Sequence, residues 1–280
     1  MKRRPAVAGA FYERDPAALR RRIEWCFNHE LGPGGLPARG SARKIKGVIA
    51  PHAGYMYSGP VAAHAYHELV SDGIPETFVI ICPNHTGMGS GVSLMQRGAW
   101  ETPLGVVDID SELAEVIVRE SGIIDIDGTA HLGEHSCEVH VPFIQYFTDR
   151  FRIVPITMWM QDQETATDVG HAVAAAIERT ERDAVVIAST DFTHYSPADV
   201  AGSIDSRIIE RITEMDDTGM YGVITELNAT MCGYGPVAAS ITASRMLGAS
   251  ECRLLKYATS GDITGDQSSV VGYASLVLRG

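Results

Sequence analysis

Short apolar runs alternate with amphipathic stretches along this chain. Four runs rich in Val, Ile and Ala have the length and composition of buried strands, at residues 45–50, 78–82, 152–157 and 184–188. Seven stretches with helical spacing lie between and around them, at residues 15–29, 60–70, 111–121, 163–179, 199–215, 221–227 and 236–247. Alternating strands and helices of this kind predict an α/β fold.

The remaining apolar stretches extend this alternation. Residues 92–95 and 106–109 flank the segment 100–105, which has the composition of a hairpin or loop insertion. Two closing strands are predicted at residues 253–258 and 269–278. Because no linker or low-complexity segment separates the halves, we expect a single domain over residues 1–280. Its central sheet is expected to be mostly parallel or mixed, with helices on both faces.

Charge narrows the classes of partner. The chain has 280 residues and a formal net charge of -12. Non-specific nucleic-acid binding depends on clustered Lys and Arg, so a broad phosphate-binding surface is not expected. The basic cluster Lys2-Arg3-Arg4 is interpreted as a solvated terminus. We therefore expect no nucleic-acid partner.

Cysteine spacing and hydropathy bear on the compartment. Five widely spaced cysteines form no Cys-x-x-Cys pair: Cys26, Cys82, Cys137, Cys232 and Cys252. This spacing favours reduced thiols in a cytoplasmic protein over a redox dithiol or a structural zinc site. The N-terminus lacks an apolar signal core, and no run approaches the roughly 18 apolar residues that span a bilayer. Neither secretion nor membrane insertion is expected.

Four segments place a potential metal ligand or acid-base group after an apolar run or within a glycine turn. Three contain a histidine that follows a predicted strand: Pro51-His52-Ala53-Gly54-Tyr55, Pro83-Asn84-His85-Thr86-Gly87 and Asp191-Phe192-Thr193-His194-Tyr195. The fourth is Met231-Cys232-Gly233-Tyr234-Gly235. Open α/β sheets build their sites beyond the carboxyl ends of strands, so these groups are expected to meet in one metal or acid-base centre.

Each of these residues also has a structural explanation. His52 and His85 lie among Pro, Asn and Gly residues that form turns, so each is either displayed into a cleft or a surface residue. Asp191 either orients His194 and raises its basicity, or caps a helix beside an exposed histidine. Cys232 is either a small buried hydrophobe or a thiol whose pKa the following helix N-terminus lowers.

A fifth cluster leads into a further predicted helix: Glu134-His135-Ser136-Cys137-Glu138-Val139-His140. Glu134 and His135 are placed in the loop at the helix entry, where they would position a substrate or transfer a proton. The alternative is that Ser136 caps the helix and Glu138 favours its first turn. Four further histidines lack supporting context and are interpreted as structural: His64, His67, His131 and His171.

In this order, the segments resemble the Memo family, whose fold is similar to that of class III extradiol dioxygenases. The resemblance covers nearly the whole chain, and several motifs in one order are more specific than any single motif. The motifs are Ala6-Val7-Ala8-Gly9-Ala10-Phe11-Tyr12, Pro51-His52-Ala53-Gly54-Tyr55, Pro83-Asn84-His85, Glu134-His135-Ser136-Cys137-Glu138-Val139, Ser189-Thr190-Asp191-Phe192-Thr193-His194, Cys232-Gly233 and Tyr257-Ala258-Thr259-Ser260-Gly261-Asp262.

The resemblance implies a metal site. His52, His85 and Cys232 match the family's metal-ligand positions, while Asp191 and His194 match an adjacent pair in the same pocket. Extradiol dioxygenases hold iron with two histidines and a carboxylate, and here a cysteine stands in place of the carboxylate. A thiolate is a softer ligand, so iron or copper is expected, zinc is compatible, and ordinary extradiol ring cleavage is disfavoured.

Two functional classes follow. The first is a metal-dependent redox enzyme, in which His52, His85 and Cys232 bind iron or copper and His194, oriented by Asp191, acts as an acid or base toward a small molecule. In the second, the same cleft binds a peptide or metabolite without turnover. The resemblance of animal members to signalling adaptors, and of some prokaryotic members to partners of radical enzymes, agrees with this second class and with a protein partner.

Overall fold

The chain forms twelve strands and nine α-helices over residues 2–280, which the computed structural model describes. The strands are β1 (Lys2–Arg3), β2 (Ile45–Ala50), β3 (Thr77–Pro83), β4 (Val92–Leu94), β5 (Ala99–Thr102), β6 (Gly105–Ile109), β7 (Asp125–Ile126), β8 (Arg152–Met158), β9 (Ala184–Ser189), β10 (His194–Ser196), β11 (Glu251–Thr259) and β12 (Val270–Arg279). The helices are α1 (Pro16–Asn28), α2 (Tyr55–Asp72), α3 (Ser111–Glu120), α4 (His140–Phe147), α5 (Gln163–Thr180), α6 (Ala198–Thr213), α7 (Asp217–Leu227), α8 (Tyr234–Met246) and α9 (Ser260–Thr264).

The strands join in one mixed sheet with the order β1-β5-β6-β8-β3-β9-β2-β12-β10. Its centre, from β6 to β2, is parallel, and β12 runs antiparallel to β2. The four apolar runs with the strongest strand signal are β2, β3, β8 and β9, which lie side by side and are almost wholly buried. Continuous apolar runs are typical of strands covered on both faces.

Helices cover both faces of this sheet. On one face, a Cβ at Gly47 of β2 would lie 2.5 Å from the hydroxyl of Ser244, so helix α8 approaches the backbone of β2 closely. On the other face, Ser275 of β12 donates a hydrogen bond to the carbonyl of Val61 in α2, at 2.7 Å. Helix α5 packs on α8, and α1 packs on α2. The predicted α/β class, with a mixed sheet and helices on both faces, is confirmed.

Some helix bounds differ from the prediction. Helix α2 begins at Tyr55 rather than at residue 60, so Pro60 lies inside it. A proline often marks a helix start, because its missing N–H is least costly in the first turn. Here the buried face of α2 runs from Tyr55 to Val70, and its packing outweighs the loss of one backbone hydrogen bond.

The N-terminal segment is fixed by a buried ion pair. Arg3 is 1% exposed, and its Nη1 lies 2.6 Å from Oε2 of Glu138. Its Nε and Nη2 donate to the carbonyls of His131 and Glu134, at 2.6 and 2.7 Å, and its guanidinium lies 4.2 Å from the ring centre of Trp100. The interpretation of Lys2-Arg3-Arg4 as a solvated terminus is therefore wrong for Arg3.

Glu138 also accepts hydrogen bonds from other residues of the N-terminal segment. Its carboxylate accepts the backbone N–H groups of Ala6 and Val7 at 2.7 and 3.1 Å, and the hydroxyl of Tyr12 at 2.5 Å. The alternative that Glu138 merely favours a first helical turn is therefore wrong, because α4 begins two residues later and the side chain points to the N-terminal segment. Arg3 and Glu138 together hold residues 3–12 against the loop that carries Glu134.

Two cysteines differ from the expectation of free thiols. Cys82 and Cys137 form a disulfide with an S–S distance of 2.17 Å, and they are 55 residues apart in the sequence. Cys26, Cys232 and Cys252 are free. The pairing links the end of β3 to the loop before α4.

Within residues 2–280, no helix combines the length and the apolar character that crossing a membrane requires.

Loss of the Arg3 side chain is predicted to destabilise the fold strongly. Arg3→Ala leaves the Glu138 carboxylate buried beside an empty space, so we expect the free energy of unfolding to fall by about 3–5 kcal/mol. Arg4 is exposed and provides the matched control; Arg4→Ala is expected to change it by no more than about 0.5 kcal/mol. Urea unfolding at pH 7 measures both. Equal effects of the two substitutions would contradict the importance of the buried pair.

Candidate metal centre

Three neighbouring parallel strands end at the same edge of the sheet. The order β3-β9-β2 places the residues that follow them close together, and Ala50 of β2 pairs in register with Ser189 of β9. His52, His85 and Asp191 each lie two residues beyond their strand. The chain therefore brings two imidazoles and a carboxylate to one end of the sheet, as open α/β sheets commonly do.

Cys232 reaches the same point from the turn before α8. Its Sγ lies 3.3 Å from Nε2 of His52 and accepts the backbone N–H of Asp191 at 3.1 Å. Gly233 permits this approach, because a Cβ there would overlap the carbonyl oxygen of Ser189. Burial and the adjacent Asp191 raise the pKa of the Cys232 thiol far above its ordinary value. Of the two alternatives for Cys232, the one in which the helix N-terminus lowers this pKa is therefore wrong.

His52 is buried and neutral. Burial, followed by the neighbouring His135 and His85, lowers the pKa of His52 well below its ordinary value. Its Nδ1 lies 2.7 Å from Oγ of Ser189, and its Nε2 points toward Cys232. A neutral ring with Nε2 directed at a thiol is arranged as a metal ligand would be. The alternative that His52 is a surface residue of a turn is wrong, since it is buried.

His85 is fixed by Glu134. Oε1 of Glu134 lies 3.0 Å from Nδ1 of His85, and Oε2 accepts the backbone N–H of His85 at 2.5 Å. The turn itself is held by Asn84, whose side-chain oxygen accepts the N–H groups of Thr86 and Gly87. An imidazole bound by a carboxylate at Nδ1 presents Nε2 to a metal, which is a common arrangement around metal ligands.

Glu134 is ionised in a buried position. Burial raises its pKa, but the hydrogen bond and charge of His85 and the N–H of Ser136 outweigh burial and hold the pKa at about 2. Its Oε1 also accepts the Oγ–H of Ser136 at 2.8 Å. The alternative that Ser136 caps α4 is therefore wrong: its hydroxyl lies against Glu134 and the carbonyl of Pro83, and the N-cap of α4 is Val139.

Two groups of side chains in residues 2–280 have the spacing of metal ligands. In each, the ligand atoms lie within 4.8 Å of one another: His52, His85 and Cys232 form the first group, and His85, Glu134 and His135 form the second. In the second group, Oε1 of Glu134 already accepts the N–H groups of His135 and Ser136 and the hydroxyl of Ser136. Its lone pairs are therefore engaged, and the first group has the better free donor atoms.

Asp191 and His194 face the site but are not bonded to each other. Oδ1 of Asp191 accepts the backbone N–H of His52 at 2.8 Å, and burial raises the pKa of this carboxyl to about 6. The ring of His194 is held instead by the carbonyl of Thr230, 2.9 Å from Nδ1. The expectation that Asp191 orients His194 is therefore wrong, as is the alternative that Asp191 caps a helix. Local spacing in the sequence did not reveal Thr230 as the partner.

Five of these side chains line a cavity of about 680 Å³: His52, His85, His135, Asp191 and His194. Aromatic residues of several loops line it as well. The rings of His85 and His135 stack with centroids 4.8 Å apart. The aromatic wall residues are Phe11, Tyr57, Tyr195 and Tyr273.

The structure thus brings together the seven side chains that the sequence predicts for the site, although some of their hydrogen-bonding partners differ from those expected. They are His52, His85, Glu134, His135, Asp191, His194 and Cys232. Sequence reasoning missed Ser189 and His140, which lie beneath His52. A serine that ends a buried apolar strand beside Asp191 was an available signal for the first. His140 was quoted within its cluster but carried no context of its own.

The chain matches known proteins over almost its whole length. A family model described as "Memo-like protein" matches residues 3–277. The MEMO1 family protein MTH_45 of Methanothermobacter thermautotrophicus is 84% identical over 276 residues, covering 99% of this chain and 100% of the relative. MK0963 of Methanopyrus kandleri, also described as a MEMO1 family protein, is 56% identical over 281 residues, covering 100% of this chain and 99% of the relative.

A solved structure has a similar fold. The crystal structure of the uncharacterized protein JW3007 from Escherichia coli K12 aligns with a TM-score of 0.59 and 13% identity, covering 84% of this chain and 100% of that chain. At this identity the likeness concerns the fold alone, and it agrees with the expected α/β class. The family match spans almost the whole chain and the relatives align from end to end, so this protein belongs to the Memo family.

Proposed function

We propose that this protein binds a redox-active metal ion, iron or copper, through His52, His85 and Cys232 and acts on a small molecule held in the adjoining cavity. One observation carries the proposal: Sγ of Cys232 lies 3.3 Å from Nε2 of His52, and a His85 nitrogen lies within 4.8 Å of both. Three donors from three separate segments therefore lie together, and two of them, His52 and His85, also line the cavity.

The donor set fits such an ion. With a metal–nitrogen distance of about 2.0–2.1 Å and a metal–sulfur distance of about 2.3 Å, two tetrahedral ligand atoms lie about 3.5 Å apart. The separation of 3.3 Å between Cys232 and His52 is close to that value. Two imidazoles and a thiolate suit copper, iron or zinc, whereas magnesium and calcium prefer oxygen ligands.

Three protein ligands are typical of catalytic rather than structural sites, because a fourth position stays open to substrate. A bound iron or copper ion would supply one-electron chemistry and Lewis acidity at that position. His135, whose pKa burial lowers, is a neutral imidazole suited to accept a proton from a substrate. Asp191, with its pKa raised to about 6 by burial, exchanges a proton near pH 6. His194 is assigned to contact the substrate from the wall.

A binding module without turnover is the second candidate, and one observation favours it. Tyr195 lies at the cavity wall, is 81% exposed and has a left-handed backbone with φ of 58°. Such a conformation is uncommon for a tyrosine and is found at ligand clamps. A ligand recovered with unchanged mass after incubation with the metal-loaded protein would favour this function, and an oxidised product would favour the redox enzyme.

Removal of the thiol is predicted to weaken metal binding. Cys232→Ser replaces a soft ligand by a hydroxyl, so we expect the affinity for Fe(II) or Zn(II) to fall by about 100-fold or more. Cys252→Ser is the matched control, because Cys252 is also a free cysteine but lies on β11. Anaerobic competition with a chromophoric chelator measures both. Equal affinities for the two variants would reject the assigned ligand.

Metal affinity is predicted to rise with pH. Burial and Asp191 keep the thiol of Cys232 protonated at pH 7–8, so binding as a thiolate must release its proton. Asp191, with a pKa of about 6, is already ionised in this range, and His52 is already neutral. The Kd for Zn(II) should therefore fall about tenfold from pH 7 to pH 8. Cys232→Ser should remove this dependence; the same slope in the variant would place the released proton elsewhere.

A further inference from the structure

Beneath His52, one hydroxyl has three hydrogen-bonding partners. Oγ of Ser189, a residue with no exposed surface, lies 2.7 Å from the carbonyl oxygen of Ser136, 2.7 Å from Nδ1 of His52 and 2.7 Å from Nε2 of His140. A serine hydroxyl carries one hydrogen and two acceptor lone pairs. The three contacts therefore require one donated and two accepted hydrogen bonds.

The carbonyl of Ser136 determines in which of the three contacts Ser189 is the donor. A carbonyl oxygen cannot donate, so the 2.7 Å contact between Oγ of Ser189 and the oxygen of Ser136 requires the serine hydrogen. Both imidazole nitrogens must then carry hydrogens and donate to the lone pairs of Ser189. His52 is thereby assigned as the Nδ1–H tautomer, which leaves the lone pair on Nε2.

His140 and Tyr66 complete the network. A neutral imidazole that donates from Nε2 accepts at Nδ1, and the hydroxyl of Tyr66 lies 2.6 Å from Nδ1 of His140. Tyr66 and His140 are buried, so each polar atom needs the partner that this assignment gives it. In this assignment, Tyr66 donates to Nδ1 of His140, and both His140 and His52 donate to Oγ of Ser189. The hydroxyl of Ser189 in turn donates to the carbonyl of Ser136, so each donor has one acceptor.

We infer that Ser189 is a positioning residue that selects the metal-binding tautomer of His52. The other tautomer would carry its hydrogen on Nε2 and direct it at Sγ of Cys232, 3.3 Å away, or at Oδ2 of Asp191, 3.9 Å away. That tautomer has no lone pair for a metal at Nε2. This inference rests on the proposed metal-binding function, in which Glu134 fixes Nδ1 of His85 in the same way.

The tautomer can be read without metal. In the metal-free wild-type protein labelled with ¹⁵N-histidine, the NMR shifts of His52, assigned by their loss in His52→Asn, should show a protonated Nδ1 and a bare Nε2. A hydrogen on Nε2 would overturn the inference. Since this readout needs neither metal nor a Ser189 variant, it judges the inference even if wild type binds none of Fe(II), Cu(I) and Zn(II), a result that would instead reject the proposed function.

A pair of variants separates the role of Ser189 from a general loss of packing. Ser189→Ala removes the acceptor of His52, so Nε2–H should become populated and the affinity for Zn(II) at pH 7.5 should fall about 10–100-fold. Tyr66→Phe is the control: it removes the outer hydroxyl, but Ser189 keeps a lone pair for His52, so tautomer and affinity should stay as in wild type. An unchanged tautomer and affinity in Ser189→Ala, or an equal loss in both variants, would overturn the inference.

Discussion

The candidate site depends on the register of three neighbouring parallel strands. Ile81 of β3 pairs with Ala188 of β9, and Ala50 of β2 pairs with Ser189, so the three strands end at one level. A slip of one residue in any of them would turn its side chains to the other face of the sheet and carry the following histidine or aspartate away. The apolar side chains of these strands fix the register, because a slipped strand would present different side chains to the helices that cover it.

The strand ends bring the site residues close together, and hydrogen bonds then orient the two histidine rings. Both proposed histidine ligands are fixed at Nδ1, His52 by Ser189 and His85 by Glu134, and a ring nitrogen of each lies within 4.8 Å of Sγ of Cys232. The carboxylate of Glu134 belongs to a loop that Arg3 holds through the carbonyl of Glu134. The first residues of the chain, although far from the cavity in sequence, thus support the orientation of His85.

The sequence was sufficient to predict the central strands and the residues at their ends, because continuous apolar runs and turn residues are local signals. The partner of Arg3 could not be predicted in this way, since Glu138 is 135 residues away in the chain. The same holds for the disulfide between Cys82 and Cys137. The sequence also left open whether the helix N-terminus lowers the pKa of Cys232, because burial and Asp191, which raise this pKa, are not visible before the fold is known.

The central claim is that one metal ion contacts His52, His85 and Cys232 together. X-ray absorption spectroscopy of the protein loaded with one equivalent of Zn(II) tests it most directly. The claim predicts one sulfur neighbour at about 2.3 Å and two imidazole nitrogens at about 2.0–2.1 Å. A first shell of nitrogen and oxygen atoms alone, without sulfur, would contradict it.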